Sequence, residues 1–589
     1  MLFFSRKNYR FLNFKLYLVL GMLLFSVQLS PVPAVSSHSA GETKTTGVNI
    51  NKLLGAERFY EAGFTGETAI QACVEDRVWN GHETLGHVTT YISVDKGSWQ
   101  ANPHATTVAH LMGGRSEDTQ YPDKYYRFGI GYGAELWSGP TAARPLTVEN
   151  GKAKFASIEE APEQWKKHYT VAPVVYRKAL DKGVGPEKRT ADVINSCWSY
   201  YGVGYYDDET VDTLHPEAHS TDRMTLGLDA IIGRNPQTVV VFASGNGGNA
   251  THKKHKKWAT EGPYHSIPPG PAHGVRGNAL GFNNITVGGL ASDKTEPPYK
   301  KRMDISAYGP DQFYHAGKDK VIEGVRASVD IMAPGQDLTM AGKGDPSKYG
   351  THRGTSYAAP LVSGGASLVV DAGHQLYETK AATDARVIKA VLLNSAKKLP
   401  GWDNGQSKNE QGVVTTTQAL DWELGAGRLD LDRAFDQFVD PEHGGRAGTT
   451  GLQQGEKRIA PVGWGLGKLS VDQKRQYVIG KKLAEGTKLR TTLTWFVDRY
   501  PGDKENMKGA REKRYSDLKL RLVRFQSSKA TKRAEVVAQS IGSYHALQHL
   551  VVTLPETGYY GLEVSYPRDL WNFDDLESPQ PFGLSWLTE

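Results

Sequence analysis

Apolar residues in the first three quarters of the chain form two kinds of run. Short, nearly uninterrupted runs such as 69–74 and 238–242 are typical of strands buried on both faces. They alternate with segments such as 224–232, where apolar residues recur at helical spacing. This alternation predicts an α/β fold over residues 56–439, with a mostly parallel sheet flanked by helices.

The pattern changes after residues 440–456, a segment rich in Gly, Pro and Thr that we interpret as a linker. In residues 457–589 apolar and polar positions alternate with period two over several short runs, among them 489–495 and 518–522. Short alternating strands separated by turns predict an all-β sandwich.

The N-terminal residues have the features of an export signal. Four basic residues precede an apolar run at 16–29, and residues 32–34 supply small side chains for a cleavage site. We predict a signal peptide over 1–34 and a polar lead-in over 35–55. The apolar run is shorter than the ~20 residues of a membrane span. We therefore expect a secreted or cell-envelope protein with no stable membrane span after cleavage, an uncleaved anchor being the alternative.

Composition excludes several classes of protein. A hydrophobic content of 39% allows real cores, so the chain is not wholly disordered. Two cysteines, Cys73 and Cys197, are too few for a disulfide scaffold or a Cys-rich zinc module. Both lie in or beside predicted core strands, where either two free thiols or one disulfide would fit. The net charge of +6 is small for 589 residues, so we predict no nucleic-acid partner.

The strongest chemical signal surrounds Ser356, in the string G-T-S-Y-A-A-P-L-V-S-G at 354–364. Pro360 is tolerated only near the first turn of a helix, so a helix is expected to start just before it. Ser356 would then lie among the unpaired N–H groups at a helix N-terminus, which can stabilise an oxyanion. These features indicate a serine nucleophile.

This string resembles the serine motif of the subtilisin-like serine proteases (subtilases, peptidase family S8). The resemblance implies an Asp, a His and an oxyanion Asn, in that order before the Ser. His104 lies in H-A-T-T-V-A-H, which is similar to the family's H-G-T-x-V-A-G. Asn246 lies in A-S-G-N-G-G, which is similar to A-A-G-N-x-G. Further segments extend the resemblance over about 62–438.

In the family the acid ends the first core strand. Asp76 follows the first buried run, and the resemblance implies that it is the acid that orients His104. Glu75 and Asp95 are the alternatives.

The resemblance also implies a mechanism and a substrate class. His104 would accept the Ser356 proton, and Asn246 with the Ser356 N–H would hold the oxyanion. We therefore expect a monomeric, secreted serine endopeptidase that hydrolyses protein or peptide substrates and requires no cofactor. Structural calcium is frequent in the family, but no carboxylates here have a recognisable ligand spacing, so no metal ligand is assigned. The alternatives are a catalytically impaired binding protein of the same fold and a processing peptidase of narrow specificity.

The resemblance further implies that Ser196, Cys197 and Trp198 bind the substrate and wall its first specificity pocket. Ordinary aromatic packing is the alternative for Trp198. A basic loop at 252–257 would favour acidic substrates if it borders that pocket, the alternative being a solvated loop. Residues 457–589 resemble the jelly-roll domain appended to some bacterial subtilases, where it would stabilise the protease or help to bind substrate.

Overall fold

The computed structural model describes most of the chain. The described residues are 47–92, 101–141, 146–149, 152–155, 171–198, 223–248, 273–275, 277–292, 298–342, 344–439, 458–504, 507–526 and 534–589. The predicted signal peptide, the linker, the basic loop at 252–257, Asp95 and most of the lead-in lie outside them. Within the described residues no helix is long and apolar enough to cross a bilayer.

A seven-stranded sheet organises the N-terminal part of the structure. The strands of this part, in chain order, are β1 (Ile70–Cys73), β2 (Thr90–Tyr91), β3 (Glu135–Ser138), β4 (Leu146–Glu149), β5 (Lys152–Phe155), β6 (Val193–Ser196), β7 (Val239–Ala243), β8 (Ile285–Leu290), β9 (Asp311–His315), β10 (Lys320–Arg326), β11 (Ile331–Pro334), β12 (Gln336–Ala341) and β13 (Tyr349–Arg353). The sheet has the order β11-β8-β7-β6-β1-β3-β2, and its neighbouring strands pair in parallel. Every residue of β6, β7, β8 and β11 is buried, because helices and loops cover both faces.

Seven α-helices have bounds within the described residues. They are α1 (Ile50–Leu53), α2 (Glu57–Glu61), α3 (Pro103–Gly113), α4 (Arg223–Arg234), α5 (Thr355–Leu376), α6 (Ala385–Ser395) and α7 (Leu431–Phe438). The longest, α5, crosses β6, β7, β8 and β11 and packs against α3. A π-helical turn, Lys178–Lys182, and three 3₁₀ turns, Tyr125–Arg127, Gly277–Leu280 and Ala316–Lys318, lie between these elements.

The C-terminal part is rich in strands. Two short strands precede it, β14 (Ser407–Lys408) and β15 (Val414–Thr416), and its own strands are β16 (Arg458–Ile459), β17 (Gly463–Leu469), β18 (Gln473–Ile479), β19 (Lys488–Trp495), β20 (Asp498–Pro501), β21 (Ala510–Ser516), β22 (Lys519–Phe525), β23 (Glu535–Ser540), β24 (Leu547–Thr553), β25 (Tyr559–Tyr566), β26 (Asp569–Asn572) and β27 (Gln580–Thr588). The three sheets have the orders β14-β15-β23-β22-β25-β18-β16, β17-β27-β19-β24 and β20-β21-β26. The predicted fold class, an α/β part followed by a β part, is confirmed, whereas the jelly-roll topology stays a prediction.

One sheet contains strands from both sides of the boundary that the sequence predicts. β15 belongs to the segment assigned to the α/β part, yet it pairs in parallel with β23 of the C-terminal part. α6 packs on β19 and β27. The two parts therefore share a buried interface.

Candidate active site

Three loops that carry candidate residues leave the same edge of the parallel sheet. Glu75 follows β1, Cys197 follows β6 and Asn246 follows β7, and these three strands are neighbours in the sheet. Because the carboxyl ends of parallel strands meet at one edge, the chain brings together residues that are far apart in sequence.

Ser356 is the second residue of α5 and is nearly buried. Pro360 is the sixth residue of this helix rather than part of its first turn, so the helix begins earlier than its sequence predicts. A proline lacks the N–H that would bond the carbonyl four residues earlier, which here is the Ser356 carbonyl. The Cys197 thiol donates to that carbonyl instead, at 3.3 Å. Ser356 therefore lies at the N-terminus of a helix, as predicted, and its carbonyl accepts from a thiol.

His104 lies in the first turn of α3, which Asn102 caps. The Asn102 Oδ1 accepts from the His104 backbone N–H at 2.8 Å, and Pro103 occupies the first helical position. The Asn102 Nδ2 donates to the Asp76 Oδ2 at 2.6 Å. Two polar contacts thus connect Asp76, through Asn102, to the start of the helix that carries His104.

The carboxylate that the structure places against the His104 ring is that of Glu75. Its Oε2 lies 3.4 Å from the His104 Nδ1, and its Oε1 accepts from the Cys197 backbone N–H. Glu75, the alternative to Asp76 in the sequence, thus lies against His104, and the role of Asp76 stays a prediction. Glu75 and Asp76 both follow β1 in a bend, and their carboxylates have different partners.

Asn246 is hydrogen-bonded to Thr355, the residue before Ser356. Its Oδ1 accepts from the Thr355 N–H at 2.9 Å and from the Thr355 Oγ1 at 3.2 Å, while the Thr355 Oγ1 accepts from the Gly245 N–H at 3.2 Å. Gly245 has a φ of +104°, which favours glycine at this turn. With Oδ1 held by Thr355, the Nδ2 amino group is the part of the amide left to serve as a donor beside Ser356.

The three residues predicted to bind substrate have different environments. The Ser196 Oγ and the Trp198 Nε1 both donate to the Val74 carbonyl, at 3.1 and 2.9 Å, and both side chains are buried against Tyr176. Their side chains therefore pack in the interior, as the alternative for Trp198 anticipated. Cys197 is half-buried and contacts Ser356.

Both cysteines are free thiols, so the disulfide alternative is wrong for this structure. Burial raises the pKa of Cys197 well above its usual range, and the nearby Glu75 carboxylate adds to the effect. The thiol therefore stays protonated and can donate to the Ser356 carbonyl.

Sequence reasoning missed two aromatic neighbours of the site. The Tyr357 ring centroid lies 6.1 Å from that of His104 and 5.9 Å from that of His352, with which it stacks. Burial raises the pKa of Tyr357 to about 12, and the nearby Glu75 carboxylate adds to the effect, so the Tyr357 hydroxyl is neutral. Tyr357 fills the variable position of the serine motif, where the sequence pattern sets no expectation. Among the described residues, no group of three or more His, Cys, Asp or Glu side chains is arranged to hold a metal ion.

Comparison with known protein families gives a match. The sequence model of the subtilase family (Peptidase_S8) matches residues 87–414, more than half of the chain. The matched range includes His104, Asn246 and Ser356 and begins after Glu75 and Asp76. No curated protein matches the chain.

Proposed function

Because the chain belongs to the subtilase family, whose members are serine peptidases, we propose that it is a serine endopeptidase that hydrolyses protein or peptide substrates. The observation that carries the proposal is a continuous set of contacts around Ser356. His104 contacts Glu75, Glu75 accepts from the Cys197 N–H, and the Cys197 thiol reaches the Ser356 carbonyl. Asn246 holds the adjacent Thr355.

The roles proposed for these groups are those of the family's mechanism. His104 removes the proton from the Ser356 hydroxyl, whose oxygen attacks the substrate carbonyl carbon. The oxygen of the tetrahedral intermediate carries a negative charge, and the Asn246 Nδ2 and the Ser356 N–H donate to it. His104 then protonates the leaving amine, which gives an acyl-enzyme. A water molecule that His104 deprotonates releases the acid product.

The experiment that tests this proposal is labelling with a fluorophosphonate, which reacts with an activated serine. We expect the wild-type protein to be labelled at Ser356 and the Ser356→Ala variant to remain unlabelled. Ser363→Ala is the matched control, because Ser363 lies on the same helix with its Oγ bonded to the Asn195 Oδ1 at 2.9 Å, and this variant should label normally. Folded wild-type protein that takes no label would instead favour a binding protein of this fold.

Digestion of a peptide library then distinguishes the kinds of peptidase. Cleavage at internal bonds of many peptides supports a general endopeptidase. Cleavage of a few related sequences supports a processing enzyme, and release of terminal residues contradicts endopeptidase activity.

We also propose that the protein acts outside the cytoplasm, as a monomer and without a required cofactor. The basic and apolar N-terminal segment supports export, and N-terminal sequencing of the exported protein should begin at Val35. We propose a jelly-roll topology for residues 457–589 and a stabilising role for them. The buried contacts between α6 and strands β19 and β27 support that role.

A further inference from the structure

Two adjacent carboxylates at the end of β1 have separate partners. Glu75 lies against the His104 ring, with its Oε2 3.4 Å from Nδ1. Asp76 lies against the capping residue of α3, with its Oδ2 accepting from the Asn102 Nδ2 at 2.6 Å. The two side chains therefore act on different parts of the same helix.

We propose that Glu75, rather than an aspartate, orients His104 for catalysis, and that Asp76 positions the start of α3. The inference rests on the proposed peptidase function. A carboxylate beside Nδ1 accepts a hydrogen bond from the Nδ1 N–H. It thereby selects the tautomer whose Nε2 lone pair is available as a base. The same carboxylate stabilises the imidazolium ion that forms when Ser356 loses its proton.

The surroundings of Glu75 suit this role. Its side chain is 2% exposed, whereas that of His104 is 30% exposed and can meet a substrate. A buried carboxylate needs hydrogen-bond donors, and the Cys197 N–H supplies one to Oε1. That bond leaves Oε2 directed at the ring. The 3.4 Å separation is slightly long for a hydrogen bond, as is common before substrate binds.

Asp76 acts one step further from the ring. It holds Nδ2 of Asn102, while Oδ1 of Asn102 accepts from the His104 backbone N–H. Loss of the Asp76 charge would loosen the helix cap but would leave the carboxylate at Nδ1 in place. Both residues are positioning residues, and they differ in which part of His104 they hold.

The test compares Glu75→Gln with Asp76→Asn, two variants that each replace one carboxylate with an amide of the same shape. We expect Glu75→Gln to lower kcat by about 10³–10⁴-fold with KM changed less than about threefold, because the wrong tautomer is favoured while the substrate surface is intact. Asp76→Asn should lower kcat by less than about tenfold. Glu75→Asp keeps the charge on a shorter side chain and should recover at least about tenfold over Glu75→Gln.

Melting temperatures establish that each variant is folded before its kinetics are compared. A folded Asp76→Asn variant that loses about 10³-fold in kcat, or a Glu75→Gln variant with near wild-type kcat, would overturn the assignment. If Glu75→Gln does not fold, Glu75→Asp and Asp76→Asn decide, since a larger loss in the Asp76 variant contradicts the proposal. Wild-type protein that neither hydrolyses peptides nor takes a fluorophosphonate label would instead refute the peptidase function itself.

Discussion

Single residues set the chemistry of the site through contacts that differ from those expected. Pro360 removes the helical hydrogen bond to the Ser356 carbonyl, and the Cys197 thiol replaces it. The Cys197 backbone N–H meanwhile holds Glu75. One residue therefore connects the nucleophile to the carboxylate beside His104, whereas the family resemblance implied only that this residue walls a substrate pocket.

The two polar atoms of the Asn246 amide have different proposed roles. Oδ1 accepts from Thr355, and Nδ2 is the proposed oxyanion donor. Asn246→Ala removes the proposed oxyanion donor and the acceptor for Thr355, so we expect kcat to fall by about 100–1,000-fold. Asn246→Asp is the matched variant, since its carboxylate can still accept from the Thr355 N–H but offers no donor and adds a negative charge. It should lose at least as much kcat as Asn246→Ala while keeping a higher melting temperature. Steady-state kinetics with a peptide substrate measure kcat, and thermal unfolding measures the melting temperature. Near wild-type kcat in Asn246→Asp would contradict the role of Nδ2.

At the scale of elements, α5 is tied to the loop that leads into β1. Asp371, fully buried on α5, accepts from the Gly66 N–H at 2.9 Å, from the Thr68 N–H at 3.1 Å and from the Thr68 Oγ1 at 2.6 Å. These bonds hold the loop before β1, the strand that leads to Glu75, against α5, the helix that carries Ser356.

Asp371→Ala should therefore destabilise the protein by at least about 2 kcal/mol, because it leaves the donors of Gly66 and Thr68 without their charged acceptor. Asp371→Asn is the control, since its amide oxygen can accept one or two of these bonds and should give a smaller loss. Urea unfolding of the three proteins measures the difference in the free energy of unfolding. Equal stability of Asp371→Ala and the wild type would show that the loop is held by other contacts.

Periodicity along the chain predicted many of the elements but not the orientation of every side chain. The apolar runs at 69–74 and 238–242 correspond to strands Ile70–Cys73 and Val239–Ala243, and helical spacing at 224–232 corresponds to Arg223–Arg234. Such runs are recognisable because burial on both faces leaves few polar positions.

The choice between Glu75 and Asp76 is a different kind of problem. The two residues are adjacent carboxylates in the bend that follows β1, where no periodic pattern determines which side chain faces His104. The pairing of β15 with β23 could not be predicted from the sequence either, because it joins residues more than a hundred positions apart and leaves no local pattern. Contacts between distant segments decide both questions.

The whole molecule depends on buried contacts between its α/β and C-terminal parts. Arg499 of β20 is almost fully buried between Asp229 of α4, at 2.8 Å, and Glu512 of β21, at 2.6 Å. Burial alone would lower the pKa of Arg499, but the two carboxylates outweigh that effect and raise it. Removing one partner of such a group usually costs about 3–5 kcal/mol, so the C-terminal part is expected to be required for the stability of the α4 face.

His545 makes the same interface sensitive to acid. Its Nε2 accepts from the Ala327 backbone N–H at 2.7 Å, and protonation would replace that acceptor with a second donor. Burial lowers the pKa of His545 to about 3, and the Arg326 charge adds to the effect. Burial likewise lowers the pKa of His110 to about 3, with a contribution from His82. Both rings are therefore neutral in the folded protein near neutral pH.

In the unfolded chain the same imidazoles bind a proton near pH 6.5. Between about pH 6.5 and pH 3 the unfolded state therefore holds more protons than the folded state, so stability is complete above this window and falls as the pH drops through it. Each histidine should contribute up to about 1.4 kcal/mol per pH unit to this loss. Urea unfolding at pH 7, 6 and 5 measures the slope. In His545→Gln, whose side-chain oxygen can accept from Ala327 but does not titrate, the slope should fall by the share of one histidine, and an unchanged slope would mean that His545 is not the group responsible.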